Sequence, residues 1–320
     1  MQESNIQPPQ PKKATARKVL YLFGILIGGG LFIYQLARSI LSFSGSEVRI
    51  EAPGLIFLAF LAVIIVRGIQ MTAWHALMRN IAPSLRWIDV AEKYTITLLS
   101  RYIPGSIWGY ISRAEWLREE HRISYGTTNY VSIIEIGLVI LTCLQVVILR
   151  ALSTSTGWIT LLLILFLAVL LVLPWWLLNQ INGWGWFQHL MIRLFRVFET
   201  KPIAFSTWLK AALLDLLAWY GFGLSFKWIL ESFQPAIAAP LDLATMIYSL
   251  AWLAGFLVVF VPSGLGIREQ SIITLTDRFQ LATTAVSTGT SILIRLLISG
   301  SELVWVLIGL LIKWLRRHKE

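Results

Sequence analysis

The sequence predicts an all-α, polytopic membrane bundle of about eight transmembrane helices, with two Pro/Gly-broken re-entrant segments. Three observations carry this. First, 57% of the 320 residues are hydrophobic and only 14% are charged, with a mean hydropathy of +0.71; soluble domains carry about 25% charged residues, so one aqueous core could not hide this apolar surface. Second, several uninterrupted apolar runs reach the roughly 20 residues a helix needs to cross the hydrocarbon. Third, the short alternating segments of a membrane β-barrel are missing from the sequence, and helices are the other fold that satisfies every backbone group in lipid.

In chain order, residues 1–18 are a polar, Pro-rich tail ending in Lys12, Lys13, Arg17 and Lys18. Residues 19–315 form a single transmembrane domain, with spans predicted at 19–41, 53–78, 126–150, 158–178, 205–230, 242–260, 281–298 and 299–315. Only Ser299-Gly300-Ser301 separates the last two, which one long bent helix would also explain. The apolar run 19–41 is longer than the ~7–15 residues of a signal-peptide core, so it reads as a retained first helix. Gly24 and Gly28 within it form a G-x-x-x-G pattern suited to close helix packing. Residues 184–199 place Phe187, Leu190, Met191, Leu194, Phe195 and Phe198 on one face, the pattern of an amphipathic helix lying on the membrane surface. Residues 316–320 form a short basic tail.

The net charge of +10 follows the positive-inside rule rather than pointing to nucleic acid. With the N-terminus cytoplasmic, 20 of the 27 Lys and Arg fall on the cytoplasmic side and 4 on the outer side. Both termini are therefore expected inside. Trp74, Trp158, Trp175, Trp176, Trp208, Trp228 and Trp314 lie near predicted span ends, where interfacial anchoring is the expectation. Cys143 is the only cysteine, and His75, His121, His189 and His318 show no ligand spacing. No metal and no cofactor are expected, and no residue stands out as catalytic.

Two stretches break the pattern. Residues 90–116 contain Arg101, Tyr102, Pro104, Gly105, Trp108 and Arg113; residues 258–273 contain Pro262, Gly264, Gly266, Arg268 and Glu269. Proline and glycine interrupt a helix there, and irregular backbone at membrane depth is tolerated only when it is buried in protein or lines a wet cavity. Each break follows the second span of a set of four, which points to two parallel repeats, 19–178 and 205–315. Paired interruptions in corresponding halves mark a transport site. Arg67, Glu135, Asp215, Arg295 and Glu302 fall inside apolar runs, so each is expected to face the bundle interior with a partner. Arg67, Glu135 and Asp215 are expected towards the cytoplasmic half, while Arg295 and Glu302 are expected in the outer half and paired with each other. With Arg101, Arg113 and Arg268 these residues predict a polar cavity with excess positive charge, suited to a lipid phosphate.

Arg101-Tyr102-Ile103-Pro104-Gly105-Ser106-Ile107-Trp108, followed by Arg113, resembles the K/R-Y-x-P-G-x-x-W…R signature of the lysylphosphatidylglycerol synthase transmembrane-region family. Pro262-Ser263-Gly264-Leu265-Gly266-Ile267-Arg268-Glu269 resembles its second signature, P-x-G-x-G-x-R-E. The family includes the flippase part of the multiple peptide resistance factor. The resemblance implies a multi-helix membrane fold, two re-entrant segments and translocation of a membrane lipid, either a phospholipid or a polyprenyl-linked one. Because the chain stops at Glu320, the aminoacyl-transferase domain is expected to be absent and lysyl transfer is not carried over. Two other classes are compatible with the sequence: a membrane-embedded transferase acting on a lipid-linked sugar, with Glu47 and Glu51 in the first outer loop, and a non-catalytic envelope-assembly scaffold. No phosphate-loop motif ties the chain to ATP; Glu135 and Asp215 are candidate proton carriers. The oligomeric state is left open.

Overall fold

A computed structural model of the chain describes residues 49–97, 108–180, 202–258, 264 and 266–318, together with residues 33, 34, 37 and 41. The predicted first span 19–41, apart from four residues, lies outside this set. So do the Gly24–Gly28 pattern and the surface helix at 184–199. Among the described residues there is no strand, and nine α-helices follow one another. These are α1 (Pro53–Ile81), α2 (Trp87–Thr97), α3 (Trp108–His121), α4 (Tyr125–Leu152), α5 (Trp158–Gln180), α6 (Phe205–Phe233), α7 (Leu241–Leu257), α8 (Ile267–Arg278) and α9 (Thr284–Arg317). Five of them, α1, α4, α5, α6 and α9, are long and apolar enough to cross a membrane. The 17-residue α7 is apolar but shorter.

Local sequence explains the boundaries. Pro53 opens α1 at a position where a missing N–H costs nothing. The Ser124 hydroxyl accepts from the Thr127 N–H to cap α4, and Thr283 does the same for Val286 at the start of α9. Within the stretches expected to break, the described helices are α2 to Thr97 and α3 from Trp108, and α7 to Leu257 and α8 from Ile267; Pro104, Gly105 and Pro262 lie outside the described residues. At the second break, Gly264 (φ +67°) and Gly266 (φ +80°) occupy the left-handed region that side chains disfavour. Glu269 then accepts from the Gly266 N–H at 2.7 Å and fixes the start of α8.

The sequence leaves one boundary open between one helix and two, and the structure settles it. Residues 281–298 and 299–315 are not two spans; α9 runs unbroken for 34 residues. At 1.5 Å per residue it is about 51 Å long, well beyond the ~30 Å hydrocarbon thickness. A lone glycine between serines does not stop a helix that lacks a proline. The Gly300 position faces the Phe60 ring, with only 3.2 Å to spare for a Cβ, and the Ser301 hydroxyl returns to the Ile298 carbonyl at 2.7 Å. Small residues here let α1 and α9 approach closely.

Inter-helix contacts fix the direction of each element. The helices α1 and α6 are antiparallel: the Glu51 N–H donates to the Ser232 carbonyl (2.8 Å), and the Ser225 hydroxyl donates to Ala59 (3.2 Å). Helix α9 runs parallel to α1, with Trp305 Nε1 donating to Ile64 (2.8 Å) beside Gly68. Helix α4 is parallel to α6, joined by Trp219 Nε1 and the Thr142 hydroxyl (3.0 Å), and antiparallel to α7, joined by Arg150 and Asp242 (2.8 Å). In α2, Glu92 meets Arg316 (3.0 Å) and Thr95 faces Gly309, so α2 climbs against α9 from its C-terminal end. Helix α8 descends against the start of α9, with the Thr276 hydroxyl bonding Ser287 at 2.7 Å.

The chain thus contains two helix–hairpin–helix units, α1–(α2, α3)–α4 and α6–(α7, α8)–α9, that run in opposite senses. The expected parallel order of 19–178 and 205–315 depended on the boundary at 299–301 that α9 lacks. Two apolar cores support the units. One gathers Phe222, Phe226, Ile247 and Tyr248 where α6 meets α7; the other gathers Trp74, Leu77, Val90, Leu117 and Trp208 around α1, α2 and α6. Helix α5 buries no residue and exposes Leu161, Leu165 and Phe166 over its surface, as a lipid-facing helix does. Trp158, Trp176 and Trp314 are exposed, but Trp74 and Trp208 are 1% exposed and belong to the core rather than to an interfacial belt. Trp208 sits there because its Nε1 donates to the Leu171 carbonyl at 2.9 Å.

Candidate functional site

A cavity of about 200 Å³ lies where the arms of both hairpins meet the long helices. The first hairpin contributes Tyr94 and Thr97 from α2 and Gly109, Tyr110 and Arg113 from α3; the second contributes Trp252 and Phe256 from α7 and Arg268 and Glu269 from α8. The long helices supply Arg67 from α1, Glu135 from α4, Asp215 from α6, and Arg295 and Glu302 from α9. All five ionisable residues singled out inside spans therefore line one cavity, as do Arg113, Arg268 and Glu269 from the broken segments.

The charges are arranged in cross-helix pairs. Arg67 Nη2 donates to Glu302 at 2.7 Å, and its Nη1 donates to Gln70 at 2.8 Å. The Glu302 side chain is only 1% exposed, so the pair ties α1 to α9 where breaking it would strand a carboxylate. Arg113 meets Glu135 at 3.1 Å, joining the first hairpin to α4; the Tyr94 hydroxyl donates to the same carboxylate at 3.4 Å. Arg295 pairs with Glu269, joining the second hairpin to α9. The expected Arg295–Glu302 pair is not formed. Its two members lie on one helix and face different neighbours, and Arg67 and Glu302, expected in opposite halves of the membrane, are in direct contact.

The two hairpins are held in the same manner with the signs exchanged. In the first, the hairpin carries the cation and the following long helix the anion; in the second, Glu269 lies on the hairpin and Arg295 on the long helix. Arg113 is further enclosed by aromatic faces, with its guanidinium 5.1 Å from the Trp74 ring, 4.8 Å from Tyr94 and 4.6 Å from Tyr110. Arg67 lies 5.4 Å from the Phe222 ring and Arg268 5.8 Å from that of Trp252. Each ring offers its negative face to a cation that is partly removed from water.

The described lining holds Arg67, Arg113, Arg268 and Arg295 against Glu135, Asp215, Glu269 and Glu302. Four cations face four acids, so the expected positive excess is not present among the described residues. Asp215 differs from the other acids. It is 7% exposed and, among the described residues, has no hydrogen-bond or ion-pair partner; the charge it feels is that of Glu135.

The remaining sequence-predicted residues are placed as follows. Gly264 packs on the backbone of Gly255, where a Cβ would lie 2.8 Å from the Gly255 Cα, and Gly266 caps α8. Trp108 is the first residue of α3. Arg101, Tyr102, Pro104, Gly105 and Pro262 lie outside the described residues. Sequence reasoning missed the aromatic lining formed by Trp74, Tyr94, Tyr110, Trp219, Phe222, Tyr248 and Trp252. The available signal was aromatic residues repeating mid-helix, as in Trp219-Tyr220-x-Phe222 of α6, away from any interface.

At the base of the first hairpin, Arg316 bonds both Asp89 (2.6 Å) and Glu92 (3.0 Å), Arg86 also bonds Asp89 (3.1 Å), and Lys93 bridges to Glu120 (2.5 Å). Burial opposes ionisation of Asp89, but Arg86 and Arg316 outweigh it and hold its carboxyl below the usual range. At the opposite end of the bundle, Arg150 and Ser153 both bond Asp242, 2.8 Å each, fastening the start of α7 to the end of α4. Among the described residues no cluster of His, Cys, Asp and Glu could hold a metal ion. Neither a protein-family model nor a curated protein sequence matches the chain.

Proposed function

We propose that the chain is a lipid translocase of the cell (plasma) membrane that moves a phosphate-bearing lipid, a phospholipid or a polyprenyl-linked one, between leaflets. One observation carries the reading: a polar cavity lined by paired charges sits among membrane-length helices and is bounded by the arms of both broken segments. Buried ionisable groups are costly in a membrane and are kept where a polar cargo passes. About 200 Å³ holds a headgroup and leaves the acyl chains in lipid. Arginine forks match phosphate oxygens, and Arg268 with Arg113 would meet them. The two signatures that resemble the lysylphosphatidylglycerol synthase transmembrane region favour the same function.

In this reading both termini are cytoplasmic. The first hairpin dips in from the cytoplasmic face and the second from the outer face, so the two units form an inverted pair rather than parallel repeats. Opposed half-helices around a midplane site suit alternating access. Arg278 then moves to the outer side and Arg268 into the cavity, and the cytoplasmic excess of cations survives this.

The test is reconstitution of the purified chain in vesicles carrying fluorescent phospholipids or a fluorescent polyprenyl phosphate, with leaflet exchange followed by quenching of the outer label. Exchange faster than in protein-free vesicles is expected for at least one lipid. No acceleration for any of them, from folded protein, overturns the reading.

A further inference from the structure

Three of the four acids in the cavity are matched to a cation: Glu302 to Arg67, Glu135 to Arg113 and Glu269 to Arg295. Asp215 is not, among the described residues, although it is more than nine-tenths buried and lines the cavity. Its surroundings offer little relief. The acid of α4 that faces it is Glu135, a like charge already committed to Arg113 and Tyr94. Helix α1 presents Arg67, bound to Glu302 and Gln70. Helix α9 presents Glu302 and Arg295, both engaged across helices. Helix α7 offers the Tyr248 hydroxyl, α2 the Tyr94 hydroxyl, and α8 carries Arg268 and Glu269. Helix α5 has no ionisable residue at all.

We infer that Asp215 carries a proton that crosses the membrane together with the lipid headgroup, which makes the transporter a proton–lipid symporter. This rests on the translocase reading above. The argument is one of charge balance. With Asp215 ionised, the four arginines and four acids of the described lining cancel. A headgroup bearing one net negative charge brings this described lining to minus one, in a setting where an uncompensated charge is strongly disfavoured. Protonating Asp215 restores neutrality without rearranging the three ion pairs. Lipid anion and proton therefore bind together and leave together, one proton taken up from the side the lipid leaves and released on the side it reaches. The empty cavity returns with Asp215 ionised and its charges balanced, so the cycle moves no net charge. Across a plasma membrane with an inward proton gradient, the lipid moves inward.

The experiment uses the full chain in phosphatidylcholine vesicles containing a small fraction of fluorescent phosphatidylglycerol, with a pyranine dye inside. A one-unit pH gradient, acid outside, is expected to enrich the label in the inner leaflet up to about tenfold, because one pH unit is equivalent to a tenfold concentration ratio for a one-to-one symport. A protonophore should abolish the enrichment, and the dye should report acidification that depends on the labelled anionic lipid. Whatever exchange remains in Asp215→Asn should ignore the gradient, and Asp215→Glu should respond to it. Rapid exchange in the wild-type chain that ignores the gradient overturns the symport and leaves the translocase reading standing. No exchange together with no lipid-dependent proton uptake overturns both. The wild-type measurement decides the question even where Asp215→Asn does not fold.

Discussion

The Arg67–Glu302 pair shows how much one interaction depends on its surroundings. The Arg67 side chain is 10% exposed and that of Glu302 1%, and the two residues come from helices at opposite ends of the described chain. Removing one partner leaves the other charged and stranded. Arg67→Ala is expected to cost on the order of 3–5 kcal/mol, and the double change Arg67→Met with Glu302→Leu to recover most of it. Thermal unfolding of all three variants in detergent checks this, and a double change as damaging as the single one would contradict it. Arg113 has a different dependence, because three rings and Glu135 hold it. Arg113→Lys keeps the charge and loses the planar face, so transport should fall further than stability does. Leaflet-exchange rates beside unfolding temperatures separate the two effects. That these residues face a polar interior was legible in the sequence, since a charge inside an apolar run has nowhere else to go. Which acid meets which arginine was not, because Arg67 and Glu302 are 235 positions apart and only packing brings them together.

The hairpins are the elements that carry the site, and each depends on a local device. At the second, Gly264 combines a positive φ with a close approach to the Gly255 backbone. Gly264→Ala meets both penalties and should destabilise the chain by about 1–3 kcal/mol; unfolding of the purified variant measures this, and exchange should fall as the hairpin shifts. At the base of the first hairpin, Asp89 is held ionised by Arg86 and Arg316. Its folded pKa lies below the ordinary value of 3.8, so its contribution is fully present above that value and is lost as the pH falls through the folded one. Arg316→Gln should weaken this loss, flattening stability against pH in the acid range; an unchanged acid limb would exclude Asp89 as its source. At the second expected break Gly264 and Gly266 were legible as positions of unusual backbone, because glycine acts on the local backbone alone; Pro104, Gly105 and Pro262 lie outside the described residues. Whether Ser299-Gly300-Ser301 ends a helix was not legible, and α9 passes through it unbroken. A glycine there serves helix packing against Phe60, and sequence does not distinguish a packing glycine from a hinge.

At the scale of the whole molecule, the joining of 281–298 to 299–315 changes the sense of the second unit. A two-span ending would return α7 and α8 to the cytoplasmic face; a single α9 reverses them. The inverted reading predicts that single cysteines introduced at Ser155 and Pro240 label from outside and those at Pro83 and His318 from inside. Membrane-impermeant reagents on intact cells and on inverted vesicles test it, with Cys143, buried among α4 and α7, as a silent background. Labelling of all four positions from one side would reject the arrangement. Among the described residues each hairpin is joined to its own long helix by an ion pair.

By itself the sequence determined that the chain is a bundle of apolar helices and which ionisable residues must turn inward. Those are consequences of short-range chemistry: the cost of an exposed peptide group or charge in lipid. Only the tertiary structure decided that α9 is one helix, that the two units run in opposite senses, that the cavity's described charges balance, and that Asp215 is the acid left without a cation among the described residues. These depend on contacts between residues far apart in the chain, and pairing among several arginines and several acids has no unique solution until packing places them.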